Sequence, residues 1–192
     1  MTDQLTLVLS EIQRRGGIGR GDITTAIAHT EQYVEAGGDP RAVIDLGSGG
    51  GLPGLVVAMR FGDAEVTLIE RRAKRADLLR FGVLSLGLGD RVTVAECDVA
   101  TFTSRLARSP DAARLVDLVT ARSFGRPEEV AGAAAPLLRP GGFLVVSEPP
   151  VAAPHRSRWD HHLLAATGLI DDGRHGGVRR LIKLSDVPLC ST

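Results

Sequence analysis

The sequence predicts an α/β fold, a Rossmann-like and doubly wound sheet of seven strands. Short apolar segments alternate with stretches of helical periodicity, which is typical of a parallel sheet covered by helices on both faces. The last two apolar segments, 168–172 and 178–184, are separated only by the residues GRHGG. That connection is too short for a parallel crossover, so it predicts a C-terminal antiparallel hairpin.

The N-terminal segment predicts two helices. Leu5, Leu9 and Ile12 recur at helical spacing, and a run of glycines after residue 15 then breaks the pattern. Asp22 is suited to cap a second helix that ends near residue 38. We therefore expect residues 1–38 to form a small N-terminal helical cap within the same domain as residues 39–192.

Five further strands are predicted before the hairpin, each short and apolar. They cover residues 42–46, 66–69, 91–96, 115–120 and 142–147. Helices are predicted from Pro53 onward and over 73–87, 99–108, 126–138 and 156–167. Proline suits the first turn of a helix, where its missing N–H leaves no hydrogen bond unmade.

Composition limits the classes of partner. Basic and acidic residues number 23 each, and this balance counts against a nucleic-acid partner unless a local basic patch exists. Cys97 and Cys190 form no C-x-x-C pair, which argues against a disulfide framework and a zinc site. We find neither a signal peptide nor an apolar run of about 20 residues, so we expect a cytoplasmic protein without a membrane partner.

A glycine-rich loop, DLGSGGGLPG, follows the first strand of the main domain. Glycines let the backbone turn sharply and leave no side chain between the backbone and a ligand. In an open parallel sheet, the ligand crevice lies at this end of the strands. The loop is therefore predicted to bind a ligand rather than to serve as a simple turn.

Two ligand classes fit the loop. Residues 49–54 match the dinucleotide fingerprint G-x-G-x-x-G, and Glu70 lies about 20 residues further on. In a second register, Asp45 precedes the glycines and can pair with the ammonium of the methionine part of S-adenosylmethionine. Glu70 suits the ribose hydroxyls of either ligand. The loop alone leaves open a NAD(P)-dependent oxidoreductase, a methyltransferase and a protein that merely holds the cofactor.

Other motifs favour the methyltransferase. DLGSGGGLPG, AKRADLLRF, VDLVTARS and LLRPGGFLVV together resemble class I S-adenosylmethionine-dependent methyltransferases. They are most similar to the bacterial glucose-inhibited division B family, which methylates guanine N7 in small-subunit ribosomal RNA. The resemblance covers about residues 42–147. It implies a class I methyltransferase domain over residues 39–192, S-adenosylmethionine as the cofactor, and a role in rRNA processing; a methyltransferase acting on a small molecule or a protein is the alternative.

The resemblance and the predicted fold together give three sets of site residues. Cofactor contacts are expected at the ends of the first three strands, from Asp45, Gly47, Ser48, Gly49, Gly51, Glu70, Arg71, Asp98 and Val99. Catalytic residues beside the transferred methyl are expected after the fourth strand, namely Arg122 and Ser123. Substrate contacts are expected from Arg122 and from the hairpin tip, Arg174 and His175. An RNA would meet an arginine rim of Arg14, Arg15, Arg20, Arg122 and Arg174.

Several of these residues also have ordinary structural explanations. Asp98 suits a helix N-cap, and both of its roles are compatible. Arg122 can be a surface arginine at a strand exit, and the hairpin tip can be a solvated turn. Helical spacing places His161 and His162 on different faces, so we expect no metal site there.

The sequence departs from the family pattern outside the cofactor core. Gln32 and Tyr33 follow His29 where the family has an acid and a serine, and the family's Asn-rich N-terminal segment is missing. Residues 147–149 replace a Lys-Gly pair. We therefore expect Glu148 to place a negative charge at the opening to the substrate, which counts against an anionic acceptor.

Overall fold

The computed structural model describes residues 2–108, 115–150 and 158–184. One seven-stranded sheet has the strand order β3-β2-β1-β4-β5-β7-β6. The strands are β1 Ala42–Leu46, β2 Glu65–Ile69, β3 Val92–Ala95, β4 Val116–Ala121, β5 Leu138–Ser147, β6 Leu169–His175 and β7 Val178–Lys183. Strands β1 to β5 are parallel, whereas β7 runs antiparallel to β5 and β6. The predicted doubly wound sheet and its hairpin are confirmed.

The described residues contain seven α-helices, of which the first two precede β1. They are α1 Thr2–Arg14, α2 Ile23–Gly37, α3 Gly54–Arg60, α4 Ala73–Ser85, α5 Val99–Leu106, α6 Pro127–Ala134 and α7 His161–Thr167. The predicted cap of α2 is confirmed, because the Asp22 carboxylate accepts the Thr25 N–H at 2.6 Å. None of the helices in the described ranges is long and apolar enough to cross a membrane.

The sheet separates two apolar cores. Val43 and Ile44 are neighbours in β1 but belong to different cores, because successive side chains of a strand point to opposite faces. Leu9 of α1 and Ile27 of α2 share one core with Leu79 of α4. The cap helices therefore bury apolar side chains together with the main sheet, and a boundary at residue 38 stays a prediction.

The hairpin differs from the prediction in its turn. His175 pairs with Val178, so β6 reaches further than residue 172 and only two residues form the turn. Arg174 and His175 consequently lie in the strand beside the turn, not in it. The tip is on the expected side of the sheet, because Val178 also pairs with Ser147, the last residue of β5.

Three other element boundaries differ from the prediction by four residues or more. Strand β5 begins at Leu138 instead of residue 142, and a 3-10 turn over Ala135–Leu137 replaces the end of the predicted sixth helix. Helix α7 begins at His161 because Asp160 caps it, its carboxylate accepting the His162 N–H at 2.8 Å. The earlier start predicted for this helix, at residue 156, lies outside the described residues.

Candidate active site

The glycine loop turns back under the end of β2. Gly47, Gly49 and Gly51 all have positive φ angles, of 66°, 56° and 101°, which other residues adopt only at a cost. Ser48 is buried, and its N–H donates to the Ile69 carbonyl at 2.9 Å. The loop is thereby fixed to the strand that carries the next functional residue.

Glu70 connects the loop to the start of α4. Its side chain is almost completely buried, and Oε2 accepts the Gly49 N–H at 3.0 Å. Oε1 accepts the Arg72 N–H at 2.8 Å. A carboxylate oxygen has two lone pairs, so both oxygens keep a position for a further donor.

A cavity of about 850 Å³ opens above the carboxyl ends of the strands. This volume falls within the range of small-molecule and cofactor sites, about 300–1,000 Å³. Six of the predicted site residues line it, namely Gly47, Glu70, Arg71, Asp98, Val99 and Ser123. We call this space the large cavity.

Asp98 combines the two roles that its position allowed. Its carboxylate accepts the Thr101 N–H at 2.7 Å and thus caps α5. The same residue lines the large cavity. The N-cap is therefore confirmed, and a contact to an adenine ring stays a prediction.

Four predicted cofactor residues do not line the large cavity: Asp45, Ser48, Gly49 and Gly51. Asp45 is completely buried. Its Oδ1 accepts the Thr120 hydroxyl at 2.7 Å, and Oδ2 has no hydrogen-bond partner among the described residues. Burial raises the pKa of the Asp45 carboxyl to about 6, although the Thr120 hydroxyl opposes the shift.

We expect Asp45→Asn to stabilise the protein at pH 8. The folded pKa of about 6 exceeds the ordinary 3.8, so the folded chain binds more protons between these values and its stability falls as pH rises through 6. Two pKa units correspond to about 3 kcal/mol. Thermal unfolding at pH 8 should occur about 5 °C or more above the wild type, and the gain should shrink towards pH 4.

Asp117→Asn is the matched control for this experiment. Hydrogen bonds from Arg139 and from two backbone N–H groups lower the pKa of the Asp117 carboxyl, so its ionised form stabilises the fold. This variant should therefore be less stable than the wild type at pH 8. If Asp45→Asn were also less stable than the wild type at pH 8, the conclusion that the ionised Asp45 carboxylate destabilises the fold would be wrong.

A small cavity of about 160 Å³ adjoins the first one. Its lining comes from α2, the ends of β4 and β5, and the hairpin: His29, Thr30, Tyr33, Arg122, Ser123, Ser147, Glu148, Gly177 and Val178. Ser123 lines both cavities. It also has a φ of +52°, the one positive value for a non-glycine residue in the described chain. Strained backbone of this kind concentrates at functional sites.

Arg122 and Tyr33 give the small cavity its chemical character. Tyr33 is buried, its hydroxyl donates to the Ala121 carbonyl at 3.2 Å, and burial raises the pKa of its phenol far above the ordinary value. Arg122 is half-buried and has neither a hydrogen bond nor an ion pair with any described residue. Its positive charge lowers the pKa values of Tyr33 and Asp45. The cavity thus contains a neutral phenol beside an unpaired guanidinium.

The expected negative charge of Glu148 is compensated. The side chain is only 6% exposed, and Oε1 accepts Arg158 Nε–H at 3.0 Å and Trp159 Nε1–H at 2.7 Å. Arg179 Nε lies 3.9 Å from the same oxygen. Because two guanidinium groups surround this carboxylate, Glu148 does not oppose an anionic acceptor as the sequence indicated.

The predicted rim arginines are mostly engaged elsewhere. Arg174 donates to the Gly176 carbonyl at 2.7 Å and to the Pro149 carbonyl at 2.9 Å, and neither Arg174 nor His175 lines the large or the small cavity. Arg14 and Arg15 both pair with Glu11 at 2.7 Å. The hairpin contributes Gly177 and Val178 to the small cavity instead.

The two adjacent histidines lie closer together than the helical spacing predicted. The ring centroids of His161 and His162 are 4.0 Å apart, and the ligand atoms of these two and of Asp160 lie within 4.8 Å of one another. The expectation of different faces was wrong because His161 is the first residue of α7, beside the capping Asp160. All three side chains are exposed.

Sequence reasoning missed most of the small cavity. Tyr33 is the single tyrosine of the chain, and the sequence marks it only as a departure from the family pattern. Gly177 gave no local signal, and Ser147 stood out only as part of the segment that replaces the family's Lys-Gly pair. Phe124 and Arg75 were also missed as residues that line the large cavity.

Comparison with models of known protein families assigns the chain to a family. The family model described as GidB, rRNA small subunit methyltransferase G, matches residues 21–148. The chain belongs to the GidB family. The match includes the glycine loop, Glu70, Asp98 and the turn at Ser123, and it ends before the hairpin that completes the small cavity.

Relatives in the GidB family are similar over part of their length. The ribosomal RNA small subunit methyltransferase G of Rhizorhabdus wittichii is 46% identical over 126 residues, which are 62% of this chain and 54% of that protein. The enzyme of the same name from Prochlorococcus marinus strain MIT 9313 is 40% identical over 103 residues, 54% of this chain and 40% of that protein. The chain spans about half the length of the curated relatives it matches.

Solved structures share the fold. A putative O-methyltransferase from Klebsiella pneumoniae is 16% identical with a TM-score of 0.63, covering 95% of this chain and 90% of that one. An O-methyltransferase from Bacillus cereus in complex with SAH is 17% identical with a TM-score of 0.64, covering 94% of this chain and 89% of that one. At this identity, the likeness establishes the class I methyltransferase architecture of the GidB-family chain.

Proposed function

We propose that this GidB-family chain is an S-adenosylmethionine-dependent methyltransferase that modifies guanine N7 in small-subunit ribosomal RNA. The observation that carries the proposal is the pair of adjoining cavities that share Ser123. A transferase needs separate spaces for donor and acceptor that meet where the group is transferred. The large cavity has the volume of a cofactor site, and the small one, of about 160 Å³, would receive the smaller acceptor group.

The residues of the large cavity suit the cofactor. Glu70 and Asp98 line this cavity; the free lone pairs of Glu70 would accept from the ribose hydroxyls, and Asp98 would accept from an exocyclic amino group. A Cβ built on Gly49 would meet nothing closer than 3.8 Å, so the space beside the loop is open to a ligand. Asp45 is buried and lines neither cavity, so a contact between its unpartnered Oδ2 and the methionine ammonium would require the neighbouring loop to rearrange. When bound, the cofactor supplies a methyl group on a positively charged sulfonium.

The small cavity suits an acceptor whose nucleophile needs no deprotonation. Guanine N7 carries a free lone pair, so alignment supplies most of the acceleration and no general base is required. Arginine commonly contacts the guanine edge at O6 and N7; here N7 must stay free, so Arg122 would donate to O6 or to a phosphate. Ser123, at the junction of the cavities, would orient the base. A ribosomal acceptor also implies a cytoplasmic location.

A small-molecule acceptor is the second candidate. The absence of net charge favours it, because RNA-binding proteins usually gain affinity from excess positive charge. The two candidates differ in how the rate responds to salt, since only the RNA acceptor brings phosphates to the protein.

Methyl-labelled cofactor should transfer its label to small-subunit ribosomal RNA prepared from cells that lack this protein. We expect the label in N7-methylguanine after nuclease digestion, and we expect the rate to fall with salt, each neutralised phosphate adding about −0.7 to the log–log slope. RNA from cells that contain the protein is the control and should accept little label. Label found only in a small molecule, at a rate independent of salt, would replace the RNA proposal with the second candidate.

A further inference from the structure

Phe124 lies where the glycine loop meets the large cavity. Its ring is partly buried against the core that contains Leu46 and Ile69, and it also lines the cavity. A Cβ built on Gly47 would lie 2.9 Å from Phe124 Cδ2, so the ring is in direct contact with the backbone of Gly47. One part of the ring is thus held by the core, and another part is left to a ligand.

The position of Phe124 follows from the turn that precedes it. Ser123 adopts a φ of +52°, and the ring of the next residue is placed against the loop instead of continuing away from the strand. Among the described residues that line the large cavity, Phe124 is the one with an aromatic ring. Its neighbour Ser123 marks the junction through which a methyl group must pass between the cavities.

We infer that Phe124 recognises the positive charge of the donor sulfonium through its ring and so distinguishes S-adenosylmethionine from its neutral product. The inference rests on the proposed function. A methyl group that passes between the cavities at Ser123 would bring the sulfonium that carries it close to Phe124. Aromatic rings attract cations through their negative faces, and the attraction is strongest where water is excluded.

The consequence concerns product release. In the proposed transfer, the lone pair of guanine N7 would form the new bond to the methyl carbon as the sulfur–methyl bond breaks; the electron pair of the broken bond would stay on sulfur, so the positive charge would pass to the methylated base and leave a neutral thioether. The attraction to the ring is then lost, while contacts to the ribose and adenine are unchanged. Phe124 therefore makes the product bind more weakly than the donor, which favours replacement of the product by a new donor molecule after each turnover.

Calorimetry tests the inference with three ligands: S-adenosylmethionine, S-adenosylhomocysteine and the amine-bearing analogue sinefungin. Phe124→Leu keeps an apolar side chain but removes the ring, whereas Phe124→Tyr keeps the ring. We expect Phe124→Leu to lower the affinity for S-adenosylmethionine and for sinefungin about three- to tenfold relative to the affinity for S-adenosylhomocysteine. Phe124→Tyr should preserve the wild-type ratio of these affinities. Phe102→Leu is the matched control, because Phe102 packs against the same core without lining the cavity.

The outcomes separate this inference from the proposed function. Wild-type protein that binds none of the three ligands would overturn the proposed function itself. Normal binding with equal loss of all three ligands in Phe124→Leu would assign the ring a purely structural role and overturn the inference. The bound ¹³C-methyl resonance of S-adenosylmethionine gives an independent readout: we expect an upfield ring-current shift in the wild type, and its absence would overturn the inference even if Phe124→Leu failed to fold.

Discussion

Gly49→Val is expected to abolish binding of S-adenosylmethionine while the protein remains folded. Gly49 has a φ of +56°, and a Cβ there would lie 3.8 Å from the Gly47 carbonyl and 3.9 Å from Arg75 Nη1. The protein itself thus leaves room for a Cβ atom at this position. Gly49 does not itself line the large cavity, but a Cβ there would lie beside Arg75, which does, so the added methyl groups would reach the space that we assign to the cofactor. Calorimetry should detect no binding, and circular dichroism should stay close to that of the wild type.

Gly87→Val separates a collision with the ligand from backbone strain. Gly87 follows α4 with a φ of +66°, and a Cβ there would meet no atom within 4 Å. In both variants, a valine in the left-handed conformation should lower the free energy of unfolding by about 1–2 kcal/mol, and the Tm should fall by a few degrees. Only Gly49→Val should lose the cofactor. Normal affinity in a folded Gly49→Val protein would show that the loop has another role.

Local rules were sufficient for the cofactor side of the fold. Asp22 and Asp98 were predicted as helix caps from their place before apolar periodic segments, and both accept the N–H three residues on. The glycine loop lies between a strand and a helix, as its composition predicted. Glu70 directly follows β2, so its place at the strand end needed only the strand boundary to be right.

The acceptor side could not be derived in the same way, because it is assembled from distant segments. Tyr33 and Gly177 are far apart in sequence, yet both line the small cavity, and the Gly177 N–H is bonded by the Gln32 side chain. A two-residue turn, not five residues, closes the hairpin, and this difference moved Arg174 and His175 into β6. No periodicity in a single sequence records such contacts.

The distribution of charged side chains could not be predicted from the composition. The chain has no net charge, but its charges are not spread evenly. Arg158 and Arg179 surround Glu148, and Arg14 and Arg15 share Glu11. Arg122, by contrast, has no ion pair within the described residues. A local cation beside the small cavity can therefore attract an anionic acceptor, although the overall balance argued against one.

Arg122→Ala is accordingly expected to slow methyl transfer to ribosomal RNA roughly 10- to 100-fold while leaving the affinity for S-adenosylmethionine almost unchanged. Charge-assisted hydrogen bonds contribute about 1.5–3 kcal/mol, which corresponds to that range of rates. Arg122 lines the small cavity and not the large one, so its loss should affect the acceptor. Initial rates of label transfer and calorimetry with the cofactor measure the two effects separately.

Arg122→Lys and Arg139→Ala complete the experiment. Lysine keeps the charge but lacks the planar donor pair, so Arg122→Lys should recover only part of the lost rate if the guanidinium contacts the base edge, and most of it if a single phosphate is the partner. Arg139 pairs with Asp117 at the opposite end of the sheet, and removing it should leave transfer unchanged.

If Arg122→Ala weakened cofactor binding as much as it slowed transfer, Arg122 would belong to the cofactor site. A wild-type transfer rate in this variant would instead remove Arg122 from the reaction altogether, since no other described side chain of the small cavity could replace a permanent positive charge.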